Sequence, residues 1–164
     1  MAGKRRLTHV DVSGRTRMVD VGGKPETTRE AVARGEVVMR AATLRLIRQN
    51  QVAKGDVLTL AQVAGLMAAK RTHELIPLCH ALPLTDVRVT CRPQAPDRVQ
   101  IEAVARTVGR TGVEMEALTA VAVAALTIYD MCKAVDREMT VERVRLVAKR
   151  GGRSGEFRRE GEPA

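Results

Sequence analysis

Apolar and polar residues alternate in four stretches of the chain, and a period of two residues predicts β-strands. These stretches are residues 29–39, 86–92, 99–105 and 141–149. The second and third are separated by a short turn that contains two prolines and an aspartate, so together they predict a β-hairpin. The first alternates only weakly, and its alanines leave a helix as the open alternative. In the last, Val144, Leu146 and Ala148 share the predicted apolar face.

Three other stretches carry apolar residues at helical spacing. They are residues 41–49, 57–76 and 114–135. In the second, Asp56 is a suitable N-cap, and Pro77 ends the helix. The third is the longest, contains neither Gly nor Pro, and carries acidic residues in its first turn, where the helix dipole favours them. Its middle is predicted to be buried.

The predicted elements follow in the order strand, helices, strand, strand, helix, strand, which is the split βαβ arrangement of ferredoxin-like α+β proteins. We therefore expect an antiparallel sheet with the helices on one face. Residues 1–24 are predicted to be an N-terminal arm, residues 25–150 a single catalytic domain, and residues 151–164 a mobile C-terminal tail. The strands are expected to be apolar on both sides, so a second copy would cover the other face, which predicts a homo-oligomer.

The charge of the chain predicts an anionic partner. Its 164 residues include 28 Lys and Arg against 19 Asp and Glu, which gives a net charge of +9. A nucleic acid, a phosphorylated metabolite or an acidic membrane would each match this charge. With no Trp, one Tyr and one Phe, the chain has almost nothing to stack on exposed bases, which disfavours a platform for single-stranded nucleic acid.

The cytoplasm is the predicted location. The longest uncharged apolar stretch, residues 117–129, is too short to cross a bilayer ~30 Å thick. The basic start of the chain runs into no apolar segment of the kind found in secretory signals. The three cysteines lie far apart and form no CxxC pair, so we expect reduced thiols and no structural zinc.

Residues 70–80, at the end of the second predicted helix and before the hairpin, concentrate cations and imidazoles. Lys70 and His80 can bind phosphate or transfer protons there, and the alternative is a solvated helix end with a half-buried histidine. Cys79 and His80 make a poor metal pair, because adjacent ligands without further His or Cys rarely build a tetrahedral site.

Asp130 and Lys133 lie near the end of the longest helix at positions i and i+3, so their side chains project from one face. An acid and an amine at a fixed separation can supply a general base and a general acid to one substrate, and the apolar neighbours predict partial burial. Further cations nearby would lower the pKa of the amine toward neutrality. The alternative is an ordinary surface ion pair with no chemical role.

Basic residues recur in or beside the loops: Lys24, Arg29, Arg40, Lys54, Lys70 and Lys149. Neither a GxxxxGK[ST] nor a GxGxxG pattern accompanies them, which disfavours a P-loop nucleotide enzyme. A triphosphate carries about four negative charges and would need several such cations from different elements. Taken one by one, solvated surface charge explains most of them.

The chain contains six motifs that follow one another in a characteristic order: MVDV at 18–21, KGDV at 54–57, AKRT at 69–72, LIPLCH at 75–80, TGVEMEALT at 111–119 and LTIYDMCKA at 126–134. In this order and spacing they resemble the molybdenum cofactor biosynthesis protein C family, the cyclic pyranopterin monophosphate synthases. The last three motifs are long and specific. The resemblance extends from residue 7 to residue 155.

The resemblance implies a lyase that converts 3′,8-cyclo-7,8-dihydroguanosine 5′-triphosphate into cyclic pyranopterin monophosphate and pyrophosphate. It implies a ferredoxin-like fold in a homohexamer, a trimer of dimers with sites between subunits. An upstream radical S-adenosylmethionine enzyme that cyclises GTP would supply the substrate. The ligand-bearing residues of the chain require no metal, so no cofactor is expected, although Mg²⁺ bound through the substrate's phosphates is compatible with them. Neither nucleic acid nor membrane is an expected partner.

The resemblance also implies roles for individual residues. Asp130 matches the catalytic aspartate, and Lys133 matches the essential lysine beside it. The remaining matched positions are substrate contacts at Leu78, Cys79, His80, Met115 and Glu116, active-site lysines at Lys54, Lys70 and Lys149, and phosphate ligands from a neighbouring subunit at Arg29 and Arg40.

Two positions depart from the family pattern. Ala81 stands where proline is usual, which would loosen the loop that holds His80, and Arg150 stands where serine is common, which would add a cation beside the expected phosphate site.

Two rival functions are a nucleic-acid-binding module and a non-catalytic scaffold. The scarcity of aromatic residues and the spread of charge oppose the first, and the presence of Asp130, Lys133 and His80 together opposes the second.

Overall fold

The structure, a computed structural model, describes residues 14–162. Its elements in chain order are β1 (Thr27–Val38), α1 (Ala41–Arg48), α2 (Val57–Lys70), α3 (Thr72–Leu75), β2 (Leu84–Gln94), β3 (Arg98–Gly109), α4 (Glu114–Cys132), β4 (Thr140–Arg150) and β5 (Phe157–Arg158). Residues 1–13 of the predicted arm and residues 163–164 of the predicted tail lie outside the described residues. Residues 14–24 contain neither a helix nor a strand.

The strands form one antiparallel sheet in the order β2-β3-β1-β4-β5. β1 is central, so that Ala33 lies opposite Ala103 of β3 and opposite Leu146 of β4. The weak alternation in residues 29–39 therefore marks a strand and not a helix, and β2 and β3 form the predicted hairpin. The predicted ferredoxin-like α+β fold is confirmed.

Small residues let helix α4 pack closely between β1 and α2. A Cβ atom on Gly35 of β1 would lie 2.7 Å from the side chain of Val121, and one on Gly65 of α2 would lie 2.8 Å from the carbonyl oxygen of Ala120. The alanines of β1 and β3 in this core are fully buried: Ala31, Ala33, Ala103 and Ala105. This packing fixes the position of α4, which carries predicted site residues at both of its ends.

Helix α4 is long and apolar enough, by length and composition alone, to cross a membrane. More than half of this stretch is buried inside the fold, where it packs against α2 and the sheet. The apolar character of α4 is therefore explained by its place in the core, as predicted for its middle.

Two helices end earlier than the sequence predicts. α2 ends at Lys70 and not at Pro77, because the hydroxyl of Thr72 donates to the carbonyl oxygens of Ala68 and Ala69 at 3.2 and 3.1 Å, after which the short α3 begins. α4 ends at Cys132, and residues 133–135 turn away from the helix. Local polar contacts of this kind are not visible in the apolar pattern.

Strand β4 departs from simple alternation. Its register with β1 shifts twice, and Arg143 has a positive φ of 53°. As a result Leu146 lies opposite Ala33 whereas Ala148 lies opposite Val32, the preceding residue of β1, so these two side chains point to opposite faces and the predicted apolar face is wrong at Ala148. Beyond β4, residues 157–158 form β5, for which the sequence gives no signal. The mobility of residues 151–164 stays a prediction.

The face of the sheet away from the helices is charged, so the expectation of strands that are apolar on both sides is wrong. Each charged residue of β1 on this outer face has a partner on a neighbouring strand: Glu30 with Arg150, Arg34 with Glu102, and Glu36 with Arg98. Single apolar side chains are exposed on several elements, such as Val108 of β3 at 50%, but α2 carries a row of them, in which Leu60, Val63 and Met67 are 47–49% exposed. Self-association stays a prediction, and α2 is the apolar surface that a second copy would cover.

Candidate active site

A pocket of about 280 Å³ opens at the N-terminal end of α4. We call it the N-end pocket; its walls come from the segments before β2 and before α4 and from residues 19–24. Lys24 and Glu114 also line it, although the sequence motifs give them no contact role. It brings together all five predicted substrate contacts: Leu78, Cys79, His80, Met115 and Glu116.

The imidazole of His80 is held by the chain segment that precedes β1. Its Nε2 lies 2.8 Å from the backbone carbonyl oxygen of Val19, and because a carbonyl oxygen can only accept, Nε2 carries a proton and donates it. Nδ1 is then left for a ligand, as an acceptor on the neutral ring or as a donor on the charged ring. The loop is closed by a hydrogen bond of 3.1 Å from the amide of Cys79 to the carbonyl oxygen of Ile76.

Glu116 lies in the first turn of α4 and is only 4% exposed. Burial raises the pKa of Glu116 to about 7, and the negative charge of Glu114 adds to the rise. Burial, together with the charge of Glu116, also raises the pKa of the Cys79 thiol, which argues against a thiolate nucleophile. Glu116 can therefore bind or release a proton near neutral pH.

Replacing Glu116 by Gln should change how the stability of the protein depends on pH. A carboxyl group whose pKa rises from 4.5 to about 7 on folding stabilises the fold below pH 4.5 and loses this contribution as the pH rises through 7. The full loss amounts to about 3 kcal/mol. Urea unfolding at about pH 5 and about pH 8 should show the Gln variant gaining up to that amount over the parent at the higher pH. If the free energies of unfolding of the parent and the Gln variant differ by the same amount at both pH values, the pKa of Glu116 is not raised.

Two predicted cations lie beside the N-end pocket. The Nζ of Lys149 is 3.3 Å from Oε1 of Glu114 and also donates to the hydroxyl of Ser154. The Nε of Arg29 donates to the carbonyl oxygen of Gly109 at 2.9 Å, just before the loop that enters α4. Both side chains therefore lie near the N-terminal end of α4.

The arginine that follows Lys149 does not join these cations. The Nε of Arg150 pairs with Oε1 of Glu30 at 3.0 Å on the outer face of the sheet. The expectation that Arg150 adds a cation beside the phosphate site is therefore wrong, because successive residues of a strand point to opposite faces.

Three charged residues meet at the opposite end of α4. Oδ1 of Asp130 is 2.7 Å from Nζ of Lys133, and Oδ2 is 2.9 Å from Nζ of Lys54. Lys54 also donates to the backbone carbonyl oxygen of Asp130 at 2.9 Å. We call these three residues the C-end cluster. The predicted catalytic pair is in contact, and Lys54 belongs with it.

The C-end cluster is held in its ionised form. Hydrogen bonds from Lys133 and Lys54 lower the pKa of Asp130 to about 2. The hydrogen bond with Asp130 raises the pKa of Lys133, so the expectation of an amine with a lowered pKa is wrong. All three side chains are 46–56% exposed, which is more than their apolar neighbours predict.

Arg40 lies just beyond the C-end cluster and is anchored by a buried carboxylate. Asp136 is 1% exposed; its side chain accepts from the backbone amide of Arg40 at 2.9 Å and pairs with Nε of Arg40 at 3.2 Å. The hydroxyl of Thr43 donates to the same carboxylate at 2.9 Å. The guanidinium of Arg40 is still 59% exposed and can contact an anion. The sequence pattern does not single out Asp136.

The N-end pocket and the C-end cluster are far apart within one chain. Glu116 and Asp130 are fourteen residues apart on α4, which places them about 21 Å apart along the helix axis. α2 runs antiparallel to α4, since Lys54 precedes α2 and contacts Asp130, so Lys70 at the other end of α2 lies toward the N-end pocket. One chain alone does not bring all the predicted site residues into a single pocket.

Two other features of the described residues could mark functional sites: groups of metal-binding side chains and a second, larger cavity. Within residues 14–162, His, Cys, Asp and Glu side chains form no group of three or more that could hold a metal ion. The expectation that no cofactor is required stays an expectation. A cavity of about 410 Å³ lies on the charged outer face of the sheet, but none of the predicted site residues lines it, and three of its arginines, Arg34, Arg143 and Arg145, pair with its glutamates.

A ferredoxin-like domain with acidic, basic and proton-transferring groups at both ends of one core helix has the features of an enzyme. The model of the MoaC family matches residues 18–152, and the chain belongs to this family. The matched range contains every predicted site residue.

Curated relatives match nearly the whole chain. A protein of Thermomicrobium roseum is 64% identical over 159 residues, which cover 96% of each chain. One of Roseiflexus sp. (strain RS-1) is 66% identical over 152 residues, covering 92% of this chain and 96% of the relative. One of Pelotomaculum thermopropionicum is 65% identical over 159 residues, covering 96% and 94%. All three are named cyclic pyranopterin monophosphate synthase.

Proposed function

We propose that this chain is a cyclic pyranopterin monophosphate synthase in molybdenum cofactor biosynthesis. It converts 3′,8-cyclo-7,8-dihydroguanosine 5′-triphosphate, supplied in the cytoplasm by a radical S-adenosylmethionine GTP cyclase, into cyclic pyranopterin monophosphate. The cyclic phosphate closes as the bond to pyrophosphate breaks, which makes the enzyme a phosphorus–oxygen lyase. Membership of the MoaC family and the names of relatives at 64–66% identity support this proposal.

The observation that carries the proposal is the placement of site chemistry at both ends of α4. A substrate can contact both groups only if the N-end pocket of one subunit faces the C-end cluster of another, because about 21 Å separates them in one chain. This separation supports active sites between subunits and a homohexamer built as a trimer of dimers.

The N-end pocket suits the base of the substrate. A guanine-derived ring presents its N1–H and its 2-amino group side by side, and a carboxylate can accept both hydrogen bonds. Glu116 supplies this carboxylate between the apolar side chains of Leu78 and Met115. With a pKa near 7 it can also receive a proton as the ring is rebuilt. Nδ1 of His80 offers a further contact.

The cations around the two groups suit the triphosphate. Lys149, Arg29 and Lys70 lie toward the N-end pocket, and Arg40 lies beside the C-end cluster. Negative charge builds on pyrophosphate as it leaves, and ammonium and guanidinium groups already in place stabilise that charge. A Mg²⁺ ion bound through the phosphates would supply further positive charge.

The C-end cluster supplies the acid and the base. Asp130, ionised at neutral pH, is assigned the general base, and Lys133, protonated at neutral pH, is assigned the general acid. Their ion pair makes both groups weak in these roles, so the substrate has to separate them before a proton moves. Lys54 keeps Asp130 ionised and in place through contacts to both its side chain and its backbone.

Mixing two inactive variants tests the site between subunits. Asp130→Asn damages the C-end cluster and His80→Ala damages the N-end pocket, so each variant alone should be inactive. Oligomers reassembled from equal amounts of both should regain about a quarter of the parent activity, since about one site in four then combines two intact halves. Release of pyrophosphate measures the recovery.

The matched control is a mixture of Asp130→Asn with Lys133→Ala. Both variants are defective in the C-end cluster, so no combination yields an intact site and no activity should return. If the first mixture stays as inactive as the control, the two halves do not come from different chains.

A further inference from the structure

The C-terminal segment folds back onto the sheet. We call residues 151–162 the C-terminal strap. β5 pairs with β4, with Phe157 opposite Lys149. The backbone amide of Arg159 donates to the carbonyl oxygen of Val147 at 2.8 Å, and its Nε donates to that of Leu146 at 2.8 Å. The strap is thus an added edge of the sheet and runs beside the strand that carries Lys149.

The far end of the strap is anchored by Glu162. Arg34 of β1 and Arg145 of β4 lie directly opposite each other, and their side chains are only 22% and 19% exposed. The carboxylate of Glu162, 7% exposed, contacts both guanidinium groups, at 3.1 Å from Nη1 of Arg34. Two arginines side by side would repel each other, so Glu162 neutralises a charge that the sheet holds in place. The hydrogen bond from Arg145 lowers the pKa of Glu162, which keeps it ionised at neutral pH.

The near end of the strap holds Lys149. The hydroxyl of Ser154 accepts a hydrogen bond from Nζ of Lys149, whose side chain is 20% exposed and also pairs with Glu114 at the rim of the N-end pocket. A lysine side chain has four rotatable bonds, and contacts of this kind select one of its conformations before a ligand arrives.

We propose that Glu162 is a positioning residue for substrate binding: it anchors the C-terminal strap on Arg34 and Arg145, and the anchored strap holds Ser154 against Lys149. A strand as short as β5 does not stay paired by itself, and chain ends separate from a sheet unless they are tied down. Loss of the anchor frees the strap, and Lys149 then has to be ordered at the moment of binding. The inference rests on the role in triphosphate binding proposed above for Lys149.

The test compares Glu162→Gln with Glu160→Gln in the full chain. Glu160 is an exposed glutamate of the same strap that forms no ion pair within residues 14–162. Glu162→Gln should raise KM for the cyclic triphosphate by about three- to tenfold with kcat changed less than about twofold, because a binding contact is lost and the chemistry is not. Amide hydrogen exchange in the strap should become faster. Glu160→Gln should change neither KM nor exchange.

Combination with Lys149→Met separates positioning from simple stabilisation. If Glu162 acts through Lys149, Glu162→Gln should add no further increase in KM to the Lys149→Met variant. An equal increase in both backgrounds would overturn the positioning role, as would unchanged exchange in the strap. A third outcome separates this inference from the proposed function. If Lys149→Met leaves KM unchanged, Lys149 does not bind the triphosphate as proposed. If Glu162→Gln still makes amide hydrogen exchange in the strap faster, Glu162 nevertheless anchors the strap.

Discussion

Replacing Asp130 by Asn is expected to lower the rate of product formation by at least about 100-fold while substrate binding stays nearly unchanged. The carboxylate lies between the ammonium groups of Lys133 and Lys54 and is ionised at neutral pH. An amide of the same shape cannot take up a proton, so the step that needs a base loses it. Removing a negative charge near a polyanionic substrate does not weaken binding, which calorimetry can confirm with the cyclic triphosphate.

The matched control for Asp130 is Asp97→Asn. Asp97 also pairs with a neighbouring cation, Arg98 at 3.1 Å, but lies in the turn between β2 and β3, and within residues 14–162 its side chain forms no ion pair with the C-end cluster. Its replacement should leave turnover unchanged. Turnover by Asp130→Asn within about threefold of the parent would remove Asp130 from the acid–base step.

Replacing Asp136 by Asn should destabilise the protein by about 1–3 kcal/mol, because hydrogen bonds to a buried carboxylate are lost. The carboxylate is almost fully buried and accepts hydrogen bonds from the backbone amide of Arg40 and the hydroxyl of Thr43. An amide there lacks the charge that balances Arg40 and places an NH₂ group against one of these donors. Urea unfolding at neutral pH measures the loss, and Thr43→Val, which removes one hydrogen bond, should cost about 1 kcal/mol.

The effect of Asp136→Asn should also depend on pH. Burial works to raise the pKa of Asp136, but the hydrogen bonds from Arg40 and Thr43 outweigh it and lower the pKa below its usual value of 3.8. The ionised group therefore contributes its full stability above pH 3.8 and loses it as the pH falls through the lowered pKa. The difference in the free energy of unfolding between the parent and the Asp136→Asn variant should therefore become smaller in acid. If this difference does not change with pH, the charge of Asp136 does not stabilise the fold.

Much of the fold could be predicted because its apolar pattern is regular. The hairpin of β2 and β3 and the long helix α4 follow from alternation and from an unbroken apolar stretch. What the pattern missed depends on single polar contacts: the hydroxyl of Thr72 that ends α2, and the positive φ of Arg143 that shifts the register of β4. Such contacts leave no periodic signal.

The candidate site could be predicted as a set of residues but not as an arrangement. The motifs singled out both Glu116 and Asp130, yet only the helix that joins them shows that they lie at opposite ends of one chain. The direction of the pKa shift at Lys133 was wrong because the nearest charge to its ammonium is a carboxylate and not another cation. Glu162 and Ser154 were missed because their partners are distant in sequence or hidden in a polar tail.

The proposed site requires that α4 keep its length. Both groups of site residues are attached to its ends, so one inserted residue would turn Asp130 by about 100° around the axis relative to Glu116 and move it by about 1.5 Å. Seven inserted residues would nearly restore the direction in which Asp130 points relative to Glu116, but they would lengthen the helix by about 10 Å. Loops and termini of this chain can change in length without moving the two ends of α4 relative to each other, whereas an insertion or deletion inside α4 would change the spacing of the two groups of residues that the proposed site combines.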